Sequence, residues 1–323
     1  MRKLVFTITA VVAMVACSKN ELLQSNTAQA IVFDNAIVES YTRASDNSNC
    51  TIDQFQVYGT ISNANGTASI FGGDVVERGT DANNQAVWVT AENKTQYWIP
   101  GNTYNFAAVA NNQENATEVV VDSYGMPSAI KVLDASQQKD ILLATAEPVE
   151  FTSESIPGAV AFRFAHLMSK VKFAVLNATS ADNGYTYEVK NIRIVNAPKS
   201  ATYTIGSGWG MASGSYELSF GGDASVEPGK SWSSEVEHLM IPTQSVVGKV
   251  TPITVKFDCT TYDGDELVSA EVDKTIETGV NMKPGFAYNF TIVLDQSDDS
   301  THSSANLRNN PDVLVQVRAV DLN

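Results

Sequence analysis

Short runs in which hydrophobic and polar residues alternate recur along most of this chain, and they restrict its fold more than any other feature. The runs follow one another at intervals of about 10 to 15 residues, with turn residues between them such as Asn65-Gly66, Asn183-Gly184 and Asp263-Gly264. Alternation with a period of two places one side of a strand in a core and the other in water. The pattern predicts an all-β chain of antiparallel β-sandwiches, with one short helix near Ser136 to Leu143. The clearest runs are 55–58, 86–89, 104–109, 160–164, 170–176, 189–195, 251–257 and 287–294.

The first seventeen residues have the features of an export signal. Arg2 and Lys3 precede an apolar stretch, Leu4 to Val15, that is shorter than the roughly 20 apolar residues of a membrane-spanning helix. Small residues then stand directly before Cys17, as in a bacterial lipobox. We therefore assign residues 1–17 to a lipoprotein signal peptide and expect cleavage before Cys17, whose acyl chains would hold the protein at a membrane surface. The alternative is an ordinary secretory signal in which the cysteine is incidental.

The composition excludes one class of partner. Of the 323 residues, 43% are hydrophobic, which is enough for a buried core. Removal of Arg2 and Lys3 with the signal peptide changes the formal charge from -15 to about -17. So acidic a surface repels nucleic acid and anionic lipid, and the lipid on Cys17 is therefore the expected membrane attachment.

The cysteines and histidines give no sign of catalysis or metal binding. With Cys17 assigned to lipid, Cys50 and Cys259 remain, and their wide separation favours two unpaired cysteines, although export permits a disulfide. The histidines, none of which stands at metal-ligand spacing, are His166, His238 and His302. We predict no metal, no cofactor and no enzymatic activity.

Polar stretches divide the chain into segments. One lies between Phe151 and Gly158 and separates two strand-rich halves of similar size, and another runs from Gln296 to Pro311. The predicted segments are the signal peptide at 1–17, a tether with a strand at 18–43, β-sandwich domains at 44–155 and 156–296, and a linker with a last strand at 297–323.

Two isolated strand-like segments flank the predicted domains. The first is residues 30–33, and the second is residues 313–320. A lone strand exposes backbone groups that promote aggregation, so we expect the last strand to pair with another strand. Arg43 stands in a polar stretch that a trypsin-like protease could reach, although it could also be a plain surface residue. The residues that form one apolar face of the last strand are Val313, Val315, Val317 and Ala319.

Four other features have both a functional and a structural interpretation, and we favour the structural one for each. His166 is interpreted as a structural histidine at a domain joint rather than a general base. Residues 263–266 are interpreted as a solvated hairpin turn rather than a calcium loop, and residues 206–210 as a loop rather than a phosphate-binding turn. The tryptophans, interpreted as packing residues rather than a sugar-stacking platform, are Trp88, Trp98, Trp209 and Trp232.

A series of short motifs extends over nearly the whole chain. They are the lipobox at Cys17, Thr42-Arg43-Ala44, and the stretches 55–59, 97–106, 140–144, 164–173, 239–244 and 283–290. In their order and spacing they resemble the fimbrillins, the subunits of the type V pili of anaerobic Gram-negative bacteria.

The resemblance implies two transthyretin-like β-sandwich domains and export to the cell outer membrane as a palmitate-bearing lipoprotein. It also implies that an arginine-specific protease cuts between Arg43 and Ala44 and removes the anchor with the first strand, which carries Ile31 and Phe33. The C-terminal strand of a neighbouring subunit would then fill the groove by strand addition, or donor strand exchange. The implied partners are other fimbrial subunits, the outer membrane before maturation, and host or bacterial surface ligands of a fimbria that supports adhesion.

The C-terminus departs from the family pattern. This chain ends Val320-Asp321-Leu322-Asn323 after a polar linker, where family members often end in an aromatic residue. Stalk, tip and lipid-keeping anchor roles therefore stay open. The other interpretation is a non-polymerising surface lipoprotein that binds a glycan or a host protein.

Overall fold

The computed structural model describes residues 29–38, 52–80, 86–111, 115–137, 139–152, 156–180, 185–221, 223–243, 245–246, 249–295 and 312–321. Within these residues no helix has the length and apolar character needed to cross a membrane.

Strands dominate the described residues, so the predicted all-β class is confirmed. The strands of the first half are β1 (Phe33–Val38), β2 (Gln54–Asn63), β3 (Gly66–Thr80), β4 (Ala86–Thr90), β5 (Asn102–Ala110), β6 (Thr117–Val121), β7 (Pro127–Val132), β8 (Leu142–Thr145), β9 (Val149–Phe151) and β10 (Val160–His166). Those of the second half are β11 (Ser169–Asn177), β12 (Tyr185–Thr204), β13 (Gly208–Trp209), β14 (Ser213–Ser219), β15 (Asp223–Val226), β16 (Ser231–Ser233), β17 (His238–Met240), β18 (Ser245–Val246), β19 (Lys249–Val250), β20 (Ile253–Asp263), β21 (Glu266–Thr278), β22 (Phe286–Asp295) and β23 (Asp312–Asp321). Single turns of 3-10 helix lie at Glu92–Lys94 and Ala135–Gln137.

The helix predicted near Ser136 to Leu143 is wrong beyond its first turn. Of the described residues in this stretch, Ala135–Gln137 alone are helical, and Leu142–Thr145 forms β8. Strand β8 pairs with β5 on one side and β10 on the other, and its first three residues are buried. Pairing on both sides of the strand therefore decides the conformation, because tertiary contacts override a weak local preference for helix.

Two of the three predicted turns close β-hairpins. The pairs β2–β3 and β20–β21 are antiparallel across turns that contain Asn65 and Gly264. Gly264 has a φ of 58°, a conformation that glycine adopts without steric cost. The interpretation of residues 263–266 as a hairpin turn is confirmed, and Asn183-Gly184 lies outside the described residues.

The first sheet closes on itself. Its strands follow the order β2-β3-β4-β1-β10-β8-β5, β5 pairs back with β2, and β9 adds to β5. The pairing of β1 with β10 is parallel, as is that of β11 with β22 in the second half, whereas we predicted antiparallel sheets. In both pairs the partners are far apart in sequence, so no tight turn forces them into opposite directions.

Two further sheets enclose the core of the second half. One has the order β16-β11-β22-β23 with β17 beside β11, and the other has the order β21-β20-β12-β7-β6 with β13, β14 and β15 beside β12. Buried side chains of both sheets, such as Phe173, Val189, Phe257 and Phe290, form one cluster, the second core.

The two halves share a strand and a cluster of buried residues. Strand β12 pairs with β20 near its start and with β7 at Ala201–Thr204. Residues from both halves, among them Ile130 and Trp209, form a joint core. The boundary predicted between residues 155 and 156 puts β10 in the second half, but β10 pairs with β1 and β8 of the first. We therefore propose that the first unit extends through His166.

Candidate functional site

Residues 29–38, here called the inserted segment, lie between β4 and β10 in the first sheet. Phe33 is in register with Trp88 of β4 on one side and with Val160 of β10 on the other. Among the pairings of the described strands, β1 provides the link between β4 and β10. The closed circuit of strands would therefore open at this point if the inserted segment left.

Backbone hydrogen bonds hold the inserted segment just before β1. The three amide-to-carbonyl bonds are Ile31 N to Gln96 O at 2.8 Å, Trp98 N to Gln29 O at 2.9 Å and Val160 N to Val32 O at 2.9 Å. The segment thus pairs along both of its edges, as an interior strand does.

The side chains of the inserted segment alternate between core and solvent. Ile31 and Phe33 are 4% and 5% exposed, while Val32 between them is 45% exposed. A register shift between Asp34 and Ile37 marks a bulge. Beyond it Ala36 and Val38 pack against the core while Ile37 faces solvent, so the bulge keeps one face of the segment apolar.

Phe33 lies at the centre of the aromatic cluster in the first core. Its ring stacks on Phe162 at a centroid distance of 5.8 Å with an interplanar angle of 21°. Three further rings meet it edge-on, namely Phe55 at 6.1 Å, Phe71 at 5.6 Å and Phe106 at 6.3 Å. These four rings, from β10, β2, β3 and β5, are here called the Phe33 pocket. Each of them is itself buried.

Gly59 of β2 packs against two rings of this pocket. A Cβ atom at Gly59 would come within 2.9 Å of the Phe106 ring and 3.0 Å of the Phe71 ring. Only a residue without a side chain leaves both rings where they line the pocket. Gly59 ends the 55–59 stretch, so part of this motif serves the packing around Phe33.

The C-terminal strand occupies a second place in the fold. Strand β23 pairs antiparallel with β22 along its whole length, which confirms that the last strand pairs with another strand. It stands last in its sheet as described, beyond β22. Its predicted apolar positions are in register with buried residues of β22: Val313 with Leu294, Val315 with Ile292, Val317 with Phe290 and Ala319 with Tyr288.

The predicted site residues therefore fall in three places. Ile31 and Phe33 lie in the first core, and the predicted donor strand lies beside the second core. Cys17, Arg43 and Ala44 lie outside the described residues, as does Cys50. Val38, the end of β1, is the last described residue before Arg43. The structure does not bring the two terminal strands together within one chain, since they belong to different sheets.

His166 and the cysteine of the second core have structural surroundings. Nδ1 of His166 lies 2.7 Å from Oδ2 of Asp140, and both side chains are largely buried where β10 leads into β11. This arrangement agrees with a structural histidine at a joint. Cys259 is unpaired, and burial raises the pKa of its thiol to about 11, which suppresses the reactive thiolate. No group of three potential metal-ligating side chains occurs in the part of the chain that the structure describes.

The four tryptophans pack in or against the cores, which confirms their interpretation as packing residues. Trp98 and Trp209 are buried, and Trp88 and Trp232 pack against the first and second cores. The Trp209 indole donates a hydrogen bond from Nε1 to the Leu167 carbonyl oxygen at 2.8 Å. The glycine-rich stretch 206–210 is thus a turn and a short strand that brings Trp209 to the joint core.

Sequence reasoning missed two contributors to the Phe33 pocket. The sequence predicts Phe162 as part of a strand but places it in the second domain, because the polar stretch before it is interpreted as the boundary. The alternation of Val160, Phe162 and Phe164 is the signal that marks a strand with one buried face. Gly59, as a glycine within a strand, indicates close packing, but the sequence does not show which residues it packs against.

The fold and the inserted strand together define an all-β protein whose first sheet is completed by an N-terminal strand. A family model described as fimbrillin-like matches residues 42–309, and the chain belongs to this family. The fold is similar to the crystal structure of a fimbrial protein from Bacteroides vulgatus, with a TM-score of 0.63, 12% identity, and coverage of 91% of this chain and 99% of that one. The fimbrial anchor protein Mfa2 from Porphyromonas gingivalis matches with a TM-score of 0.40, 10% identity, and coverage of 92% of this chain and 100% of that one. A comparison with curated proteins finds no match.

Proposed function

We propose that this chain is a structural subunit of a cell-surface fimbria, exported as a lipoprotein with its lipid on Cys17. Cleavage between Arg43 and Ala44 then releases the anchor, and the subunit polymerises by strand exchange. The observation that supports this most is the inserted segment, which precedes Arg43 and yet fills an interior place in the first sheet with Ile31 and Phe33 in the core.

Cleavage at Arg43 would change how the inserted segment is held. Before the cut the segment is covalently joined to the first domain. Afterwards only backbone pairing and apolar contacts retain it. Its departure would expose the edges of β4 and β10 together with the Phe33 pocket. Such an open edge pairs readily with an incoming strand, whose backbone supplies affinity and whose alternate side chains fill pockets.

The C-terminal strand has the properties of a donor. It follows a polar linker, and among the described strands it pairs with β22 alone, along one of its two backbone edges. A strand held along one edge gives up fewer hydrogen bonds when it leaves than an interior strand does. The residues proposed to enter an acceptor are Val313, Val315, Val317 and Ala319.

Deletion of residues 312–323 tests the donor role. We expect the truncated subunit to reach the cell surface and fold but to form no polymer, as judged by electron microscopy and by ladders on partially denaturing gels. The matched control is deletion of Leu322 and Asn323 alone, which leaves β23 complete. Normal filaments from the longer deletion would refute strand donation by this segment.

N-terminal sequencing of surface protein tests maturation and separates the alternatives. A start at Ala44 is expected, together with loss of processing and of polymer in an Arg43→Lys variant, which keeps the charge but removes the arginine. A lipid-blocked Cys17 on the surface protein would instead favour an anchor subunit or a non-polymerising lipoprotein that binds a glycan or a host protein.

A further inference from the structure

We propose that the place of the inserted segment accepts a strand with an aromatic side chain at the Phe33 position, supplied by a different subunit rather than by a second copy of this chain. The inference rests on the strand exchange proposed above. It concerns which strand fits, and the side chain that enters the Phe33 pocket decides the fit.

The Phe33 pocket is shaped for a flat ring. Phe162 stacks on one face of Phe33, and three other phenylalanines meet it edge-on at centroid distances of 5.6 to 6.3 Å. These are the arrangements that aromatic rings favour. A smaller side chain would leave the four rings without a partner on their inner side, and buried groups of a close-packed core collapse only in part around such a void.

The walls of the pocket have little freedom to close. Phe106 also packs against Trp98 at 5.9 Å and Tyr104 at 6.2 Å, and Phe162 packs against Phe55 at 5.5 Å. Phe71 and Phe106 lie so close to Gly59 that a Cβ atom at that position would collide with both rings. The pocket therefore discriminates by volume between an aromatic occupant and an aliphatic one.

The chain's own C-terminal segment has no side chain that matches this pocket. Residues 296–323 contain no phenylalanine, tyrosine or tryptophan. The proposed donor face offers three valines and an alanine, and the remaining apolar residues of β23 are Leu314 and Val320. A second copy of this chain would therefore place at most an aliphatic side chain among the four rings.

The bulge sets the spacing of the inward side chains. The inward positions of the inserted segment are Ile31, Phe33, Ala36 and Val38, so one extra residue separates the second from the third. The four positions of the proposed donor face follow strict alternation, whereas Val315, Val317, Val320 and Leu322 repeat the spacing of the inward positions of the inserted segment. A C-terminal strand laid along β10 with that spacing would put Val317 at the Phe33 position, so the bulge does not exclude it. The fitting partner has the pattern aliphatic, any, aromatic, followed by a bulge and two small or aliphatic inward residues.

The mismatch at the Phe33 pocket gives the subunit a direction in an assembly. It would receive a strand from an aromatic-bearing subunit, and it would donate its own valine-rich strand to a subunit whose pocket is smaller. The polymer that results is mixed in composition rather than a repeat of this chain.

Peptide competition tests the inference on folded protein that is cut at Arg43 and still holds the inserted segment. A site-specific protease sequence placed at Arg43 allows the folded protein to be nicked with all residues present. Labelled synthetic peptides then compete with the inserted segment: residues 29–38, residues 312–321, and residues 312–321 with Val313→Phe, Val315→Phe or Val317→Phe. The control peptide carries Gln316→Phe, which adds the same ring on the other side of the strand.

We expect the 29–38 peptide and at least one valine-to-phenylalanine peptide to bind at least about tenfold more tightly than the parent 312–321 peptide. The Gln316→Phe peptide should bind no better than the parent. Binding of the parent within about twofold of the 29–38 peptide would overturn the inference while leaving strand exchange intact. Failure of every peptide, including 29–38, to exchange would refute the proposed function and the inference with it.

Discussion

At the scale of single residues, the Asp258 carboxylate supports two irregular strands at once. Its Oδ1 accepts a hydrogen bond from the Asp273 amide at 2.9 Å, and its Oδ2 accepts one from the Asn191 side chain. Asn191 and Asp273 have φ values of 53° and 57°, at the points where β12 and β21 shift register against β20. Among non-glycine residues Asn and Asp adopt left-handed backbone most readily, and the Asp258 bonds hold both residues in it.

These hydrogen bonds should make the stability of the fold depend on pH. The amide of Asp273 above all, with the Asn191 side chain and the nearby Arg193 charge, lowers the pKa of Asp258 in the folded protein. A lowered folded pKa means that the stabilisation is present above the unfolded pKa of about 4 and is lost as the pH falls through the folded value. We expect Asp258→Ala to reduce the free energy of unfolding by about 1 to 2 kcal/mol at pH 7, measured by urea denaturation.

Asp258→Ala should also make the free energy of unfolding less dependent on pH in acid. The difference between wild type and Asp258→Ala should shrink as the pH falls from about 5 to 2, because the wild-type carboxylate becomes protonated. Asp265→Ala, in the exposed hairpin turn, is the control and should change little at any pH. A difference that stays constant over this range would show that the carboxylate charge has no part in the effect.

At the scale of elements, the inserted segment should show its alternation in its energetics. Phe33→Ala removes the ring at the centre of the first core and should cost about 3 to 5 kcal/mol of unfolding free energy in the uncut chain. Val32→Ala, one residue away on the solvent side, should cost no more than about 0.5 kcal/mol. Denaturant unfolding of both full-length variants measures the difference. Equal losses would mean that the segment does not occupy the core.

The sequence predicts the elements of this site better than their assembly. Alternation in residues 30–33 and 313–320 is local, so both strands could be anticipated, and β1 extends further only because the bulge restores its phase. The Phe33 pocket joins rings from β2, β3, β5 and β10, which are separated by long stretches of chain. Which strand pairs with which depends on burial across the fold, and no local pattern reports it. For the same reason the sequence predicts a helix at Leu142 and Leu143, although two strands enclose them in the structure.

At the scale of the whole molecule, we expect the two halves to unfold together. Strand β12 belongs to both, because it pairs with β20 of the second half and with β7 of the first. The joint core adds buried residues from each side, and Trp209 ties β13 to the connection between β10 and β11 through Leu167. A shared strand and a shared core make partial unfolding costly, so we expect one cooperative transition in calorimetry.

Trp209 is the residue on which this coupling should depend most. Trp209→Phe keeps much of the apolar volume but loses the bond to the Leu167 carbonyl, so it should cost about 1 to 2 kcal/mol and leave a single transition. Trp209→Ala also empties the space beside Tyr203, whose ring centroid lies 5.5 Å away, and should cost about 3 to 5 kcal/mol. Because this loss falls on the joint and spares the first and second cores, the thermogram should split into two transitions.

Trp232→Ala is the matched control, since Trp232 packs against the second core and takes no part in the joint core. It should lower the transition temperature without dividing the transition. If Trp209→Ala behaved in the same way, the coupling would reside in the β7–β12 pairing rather than in the joint core. The two halves would then be held together by backbone hydrogen bonds across a shared sheet, and side-chain changes at the joint would alter stability without altering cooperativity.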